Sequence, residues 1–284
     1  MSLTLRKALL LLSVAFLALA TVRSASGQMS STNWAGYAIN SNGVTAISAS
    51  WTVPNIQGCA STAGSTKVTK GVAVWIGFDG LTANVVVPEQ LGTISQCYNG
   101  SSQFLAWEED PTLGPAQSNF ANPAFFRPIF PGDHITASIA YLGNNKFQLQ
   151  IADTTQDVSR TYNVIFANTP RASAEWIVEA FYSFTSGQVS LPGFQPITFS
   201  DCSATVNNVT GSITSLNAET ITMVDNNGNT IAGPQNLNQA GTSFQVAAVS
   251  PVPEFPTAVV VLASTLFGAV IVVRKLRTRA PTRV

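Results

Sequence analysis

The sequence predicts an all-β fold, an antiparallel sandwich of two packed sheets. Three observations carry this. Short runs with apolar residues at every second position recur along the chain. Turn-forming clusters separate them. No long stretch repeats with the 3.6-residue period of a helix. The runs are 44–51, 72–78, 135–142, 147–153, 161–166, 174–182, 197–204, 221–224 and 244–249. Gly143-Asn144-Asn145 and the stretch 225–229 supply residues that accept positive φ, as tight hairpins require. Many short strands at this spacing read as a sandwich or barrel.

Composition narrows the function. Of 284 residues only 10% are charged, against about 25% in an average soluble chain, and the mean hydropathy is +0.22. The net charge of zero hides a segregation. Residues 26–256 hold all 14 acidic residues and only six basic ones, so this portion is near −8. An acidic body disfavours a nucleic-acid partner, which selects a basic face. His134 is the one histidine. A zinc site with two His is excluded, and any Ser-His-Asp or Cys-His centre would have to use His134. His134 follows Pro131-Gly132-Asp133 and is expected to open a strand.

The two ends read as membrane-directed. Residues 1–25 pair Arg6 and Lys7 with an apolar stretch from Ala8 to Thr21, followed by small residues, and are expected to be a secretory signal peptide. Residues 26–250 form the expected β-sandwich domain, with 26–32 as a flexible start. Residues 251–256 form a Pro-rich stalk. Residues 257–273 are 17 uncharged positions, about 26 Å as a helix, and are expected to span a membrane. The basic tail 274–284 then lies in the cytoplasm and the acidic body outside. Pro253-Glu254-Phe255-Pro256 resembles a C-terminal sorting signal, whose processing would release the protein.

Three cysteines in a secreted chain allow one disulfide. Cys59 and Cys97 stand in polar, turn-like sequence and are the expected pair. Cys202 lies in an apparent strand and reads as a small buried residue.

Carboxylates and tryptophans cluster in four segments: Asn33 to Tyr37, Trp75 to Gly80, Trp107 to Glu109, and Glu175-Trp176-Ile177-Val178-Glu179. In a strand, 175, 177 and 179 share one face. Glu175 and Glu179 would flank Ile177, with Trp176 and Val178 behind. A carboxyl on an apolar, aromatic-rich face resists ionisation, and its raised pKa suits acid–base chemistry. The same pattern also fits two solvent-facing glutamates on an exposed face.

Taken in order, these segments resemble the glutamic peptidases, or eqolisins. Asn-Trp-Ala-Gly-Tyr, Trp51-Thr-Val-Pro54, Trp-Ile-Gly-Phe-Asp-Gly, a Gln closely followed by Gly, Ala106-Trp107-Glu-Glu109, Gly-Asp-His-Ile and Ala-Glu-Trp-Ile-Val-Glu span Asn33 to about Thr205. The resemblance implies a lectin-like two-sheet sandwich and a Gln/Glu catalytic dyad acting on polypeptides at low pH, with no cofactor or metal. The family's Gln matches Gln90 and its Glu matches Glu179. Trp75, Asp79, Trp107, Glu109 and Glu175 match positions that line or support the family's cleft. The stretch before Gln90 departs from the pattern: Val87-Pro88-Glu89 stands where apolar residues are expected, and Pro88 would bend the strand or place it at an edge. Asp110-Pro111 stands after Glu109 where the family often has an aromatic.

Peptide hydrolysis needs a base for water, an acid for the leaving amine and a donor for the oxyanion. A carboxylate supplies the first two. A Gln amide supplies the third and does not titrate. Two other readings fit parts of the pattern. One is a non-catalytic carbohydrate-binding or adhesin sandwich, with aromatics as sugar platforms. The other is a jelly-roll glycosidase, for which Ile177 occupies the place of the helper Asp.

Overall fold

The computed structural model describes residues 27–82, 88–109, 118–120, 128–167, 169–183 and 187–249. The expected leader, stalk, spanning segment and basic tail lie outside these residues. Among the described residues no helix is long and apolar enough to cross a membrane.

The first third forms β1 (Gln28–Ser31), β2 (Trp34–Asn40), β3 (Val44–Thr52), β4 (Ile56–Gln57), β5 (Lys70–Phe78) and β6 (Glu89–Tyr98). The middle forms β7 (Ser101–Glu109), β8 (Ser118–Phe120), β9 (His134–Gly143), β10 (Lys146–Asp153), β11 (Val158–Ile165) and β12 (Ser173–Glu179). The remainder forms β13 (Tyr182–Ser183), β14 (Gly187–Gln188), β15 (Gly193–Phe194), β16 (Ile197–Val206), β17 (Val209–Gly211), β18 (Glu219–Val224), β19 (Thr230–Gln235) and β20 (Phe244–Ala248). A 3-10 turn at Cys59–Thr62 is the one helical element among the described residues. All nine expected runs fall mainly on strands, although the run 174–182 is broken at Ala180 and Phe181 between β12 and β13. His134 opens β9, and Asn144 and Asn145 turn the next hairpin at φ 52° and 58°.

Sixteen strands join in one hydrogen-bonded sheet, in the order β11-β10-β9-β3-β16-β20-β19-β18-β2-β12-β5-β6-β7-β8, with β1 and β17 off the path. This refines the expected two separate sheets. The sheet curls back, so that β3 faces β5 and β12, and β6 faces β9 and β10. Strands β18, β19 and β20 join the two layers, because β18 pairs with β2 and β20 with β16. Indole N–H groups tie the layers across the core. Trp51 donates to Thr93 Oγ1 at 2.9 Å and Trp176 to the Ser48 carbonyl at 3.0 Å. Around them lie Phe78, Phe147, Phe166, Phe199 and Phe244, all fully buried. Each such ring contributes roughly 2–3 kcal/mol of hydrophobic stabilisation.

Three local expectations are corrected. Residues 28–31 are not a loose start but a strand, paired in parallel with β18 from Gln28↔Thr220 to Ser31↔Met223. Pro88 neither bends a strand nor marks an edge. It precedes β6, which lies between β5 and β7, so its missing N–H falls outside the ladder. Cys97 is not in a turn. It is the penultimate residue of β6 and is paired with Ser102 of β7. The Cys59–Cys97 disulfide itself forms, and Cys202 is a buried free thiol.

Candidate active site

Strand β12 lies between β2 and β5, and its six residues Ser173 to Val178 are buried. Both of its faces are therefore covered, and the alternative of two solvent-facing glutamates does not hold for Glu175. Trp176 and Val178 join the core between the layers, while Ile177 belongs to a second apolar cluster with Ala73, Trp75, Ile94, Trp107, Phe181 and Val189.

The register aligns three rows on this second face. Glu175, Gly77 and Gln90 form the first. Ile177, Trp75, Gly92 and Trp107 form the next. Trp34, Glu179, Ala73 and Ile94 form the third. Gln90 thus stands in the row of Glu175, not that of Glu179. The four-residue offset between the two glutamates is roughly 13 Å along the strand. Two indoles cover this interval. Trp34 and Trp75 meet edge to face at 5.1 Å. Trp75 donates Nε1–H to Glu179 Oε2 at 2.8 Å, while its benzo edge hangs over Gly77. A Cβ at Gly77 would meet Gln90 Cγ at 2.8 Å and Trp75 Cζ3 at 3.0 Å, so a bare glycine is what admits both. Gly92 plays the same part under the stem of Trp75, where a Cβ would come within 2.6 Å of the Trp75 Cβ. The Gln90 amide end, the Glu175 carboxyl and the Trp34 ring all converge on the space above Gly80.

The two glutamates differ in surroundings. Glu179 is half-buried. Asn33 Nδ2–H donates to its Oε1 at 2.9 Å, opposite the Trp75 bond on Oε2. Burial raises its pKa, and Trp34, Trp75 and Asn33 oppose the rise. The Trp34 indole N–H exerts its pull without reaching hydrogen-bond geometry. Glu175 has no exposed surface. Its Oε1 accepts Leu81 N–H at 3.3 Å, and its Oε2 has no partner. Burial, aided by the charge of Asp79, pushes it up to about 8 against the pull of Ser173 and the Leu81 and Gly80 N–H groups.

Asp79 is 1% exposed and at φ 63°. Its carboxylate accepts the backbone N–H groups of Ala172 at 2.6 Å and Arg171 at 2.9 Å. It supports the site by clamping the chain that leads into β12. Trp107 and Glu109 are 5% and 7% exposed, which makes them part of the covered face rather than an open wall. Two further residues belong here, and a third, Glu89, lies behind this face, paired with Phe78 of the core. Asn33 and Trp34 are brought to Glu179 by the β2–β12 register; their sequence signals were the first aromatic segment and its place among the ordered motifs. Glu89 is fully buried with both carboxylate oxygens unpartnered, and burial plus the charges of Asp79 and Glu175 pushes it up to about 9. Its sign in the sequence was the acidic residue at an expected apolar position. Among the described residues no group of His, Cys, Asp and Glu is arranged to hold a metal ion.

The model of the Peptidase A4 family matches residues 32–246, and the chain belongs to that family, the glutamic peptidases or eqolisins. Aspergillopepsin-2 of Aspergillus niger is 26% identical over 193 residues, 62% of this chain and 64% of the relative's length. In fold, the chain is similar to scytalido-glutamic peptidase bound to a transition state analog inhibitor, with a TM-score of 0.61, 21% identity, and coverage of 77% of this chain and 98% of that one. It is likewise similar to aspergilloglutamic peptidase from Aspergillus niger, with a TM-score of 0.52, 22% identity, and coverage of 63% and 99%.

Proposed function

We propose that this chain is an acid-active endopeptidase in which Glu179 is the general base and acid and Gln90 the oxyanion donor. The observation that carries this is the state of Glu179. It is the one residue of β12 that is not fully buried, and its carboxyl is held at both oxygens by neutral donors. Such a group is already oriented, and as the carboxylate it can take a proton from water. Glu179 takes a proton from water as the water oxygen attacks the scissile carbonyl carbon. Gln90 Nε2–H stabilises the oxyanion, and the amide oxygen helps hold the water. The C–N bond then breaks as Glu179 returns the proton to the amine nitrogen. The scissile carbonyl must come within hydrogen-bond reach of both side chains, beside the partly exposed Trp34, whose ring meets the Gln90 amide above Gly80. Residues 1–25 and 257–273 read as leader and membrane anchor, which would hold this domain outside the cell.

The buried tryptophans weigh against the sugar-binding alternative. Four of the five, Trp51, Trp75, Trp107 and Trp176, are at most 5% exposed and offer no platform, which leaves Trp34 as the one partly exposed indole. A polar groove of about 250 Å³ on the far layer, lined by Ser48, Ser50, Thr136, Ser138, Gln150 and Asp201 among others, has no aromatic either. The glycosidase alternative loses its second carboxyl, since Glu175 has no access to a ligand.

The test is cleavage of an unfolded protein between pH 2 and 7. Wild-type activity that is lost in both Glu179→Gln and Gln90→Ala, and largely kept in Glu175→Gln, supports the proposal. A folded wild-type chain without activity at any pH overturns it.

A further inference from the structure

Glu179 is fastened by two hydrogen bonds, and only that of Trp75 comes from its own sheet neighbours on β5. The other comes from Asn33, in the turn between β1 and β2. An Asn side chain can present either its NH2 or its oxygen to a carboxylate, and only the NH2 attracts. Ser31 decides which. Its Oγ accepts the backbone N–H groups of Trp34 at 3.1 Å and Asn33 at 3.3 Å, and its O–H donates to Asn33 Oδ1 at 3.0 Å. With Oδ1 taken by Ser31, Nδ2 faces Glu179.

The turn itself is pinned from three sides. The N–H of Ala180, one residue beyond Glu179, donates to the Asn33 carbonyl at 2.9 Å. Gln188 Nε2 donates to the Thr32 carbonyl at 2.9 Å. The β1–β18 pairing holds Ser31 opposite Met223. We propose that Ser31 and Asn33 are positioning residues for Glu179: the hydroxyl orients the amide and the amide orients the carboxylate, so that β1 is a working part of the active site. This rests on Glu179 being the base.

The consequence is measurable. The polar groups acting on Glu179, namely Asn33, Trp34 and Trp75, are all neutral, so no second titration overlays its own. A base must be ionised, so the acid limb of kcat against pH follows Glu179. Loss of a donor to a carboxylate raises its pKa. In the full-length chain, Asn33→Ala should move the acid limb upward by about one pH unit, the size expected for one charge-assisted hydrogen bond. Ser31→Ala should move it less, in the same direction, because the freed amide can turn its oxygen to the carboxylate. Asn33→Asp should move it furthest, by placing a second carboxylate there. Ser31→Thr retains the hydroxyl and should restore the wild-type limb. Ser31→Ala keeps the test available if Asn33 variants do not fold. An unmoved limb in folded Ser31→Ala and Asn33→Ala, with kcat lowered equally at all pH values or not at all, overturns the proposal. So does identical behaviour of Ser31→Ala and Ser31→Thr. If these limbs stay put while Glu179→Gln is inactive, only this inference fails. If Glu179→Gln retains activity, the proposed function fails with it.

Discussion

Glu175 and Glu179 share a strand, a face and a five-residue segment, yet the two ends of that segment are different chemical places. The Glu175 end is dry and crowded with acids. Glu175 has no exposed surface, and the charges of Asp79 and Glu175 both act on Glu89. The Glu179 end is partly exposed, and its donors are one indole and one amide. Burial alone raises the pKa at both ends. The difference lies in what opposes it and in whether a ligand can arrive. A carboxyl without access can tune its neighbours and the stability of the fold, but it cannot exchange a proton with a substrate.

The largest expected effect tests this contrast directly. Glu179→Gln should lower kcat by roughly 10³-fold, within the usual range for a general acid–base group, while Glu175→Gln should cost less than about tenfold. Steady-state kinetics on one unfolded substrate reads both. Equal losses in the two variants would erase the distinction between the ends. Gln90→Ala should follow, with a loss of roughly 10²-fold in kcat, typical of an oxyanion donor. Its pH profile should keep the wild-type shape, because the amide does not titrate. A displaced profile would mean that Gln90 acts on the charge of Glu179 instead.

The acidic end predicts a pH dependence of stability rather than of rate. Glu89 and Glu175 are raised in the folded chain to about 9 and about 8, above the ordinary value of 4.5. Between those values the unfolded chain has released protons that the folded chain still holds. Stability is therefore full below about pH 4.5 and falls as pH rises toward 9, by at most about 1.4 kcal/mol per pH unit for each group. Melting temperatures from pH 3 to 9 should show this decline, and Glu89→Gln should flatten it. A slope unchanged by that substitution would show that Glu89 is already ionised in the folded chain. The smallest effect is expected from Trp75→Phe, which keeps an aromatic ring over Gly77 but removes the donor to Oε2. The acid limb of kcat should rise by up to about one pH unit with little change in KM. A change in KM without movement of the limb would make Trp75 a substrate contact instead.

Much of the fold follows from alternation and turn chemistry, which are local. The nine runs of period two become strands, Asn144 and Asn145 make their turn, and Glu175, Ile177 and Glu179 fall on one face because successive side chains of a strand point to opposite sides. The ordered segments around Asn33, Trp75, Gln90, Trp107 and Glu179 likewise sufficed to identify the family.

What the sequence could not supply is anything that depends on register or on neighbours distant along the chain. β1 forms only because β18, some 190 positions later, offers it an edge. The placement of Gln90 beside Glu175 depends on Gly77 pairing with both β12 and β6. The dry burial of Glu89 is set by the layer folded over it. Alternation along a strand is a property of covalent geometry and can be read residue by residue. Desolvation and hydrogen bonding of a carboxyl are sums over surrounding atoms, and only the folded sheet brings those atoms together. The sequence therefore determined which face carries the acids, and the tertiary structure decided which of them is fully buried and which is held by side-chain donors.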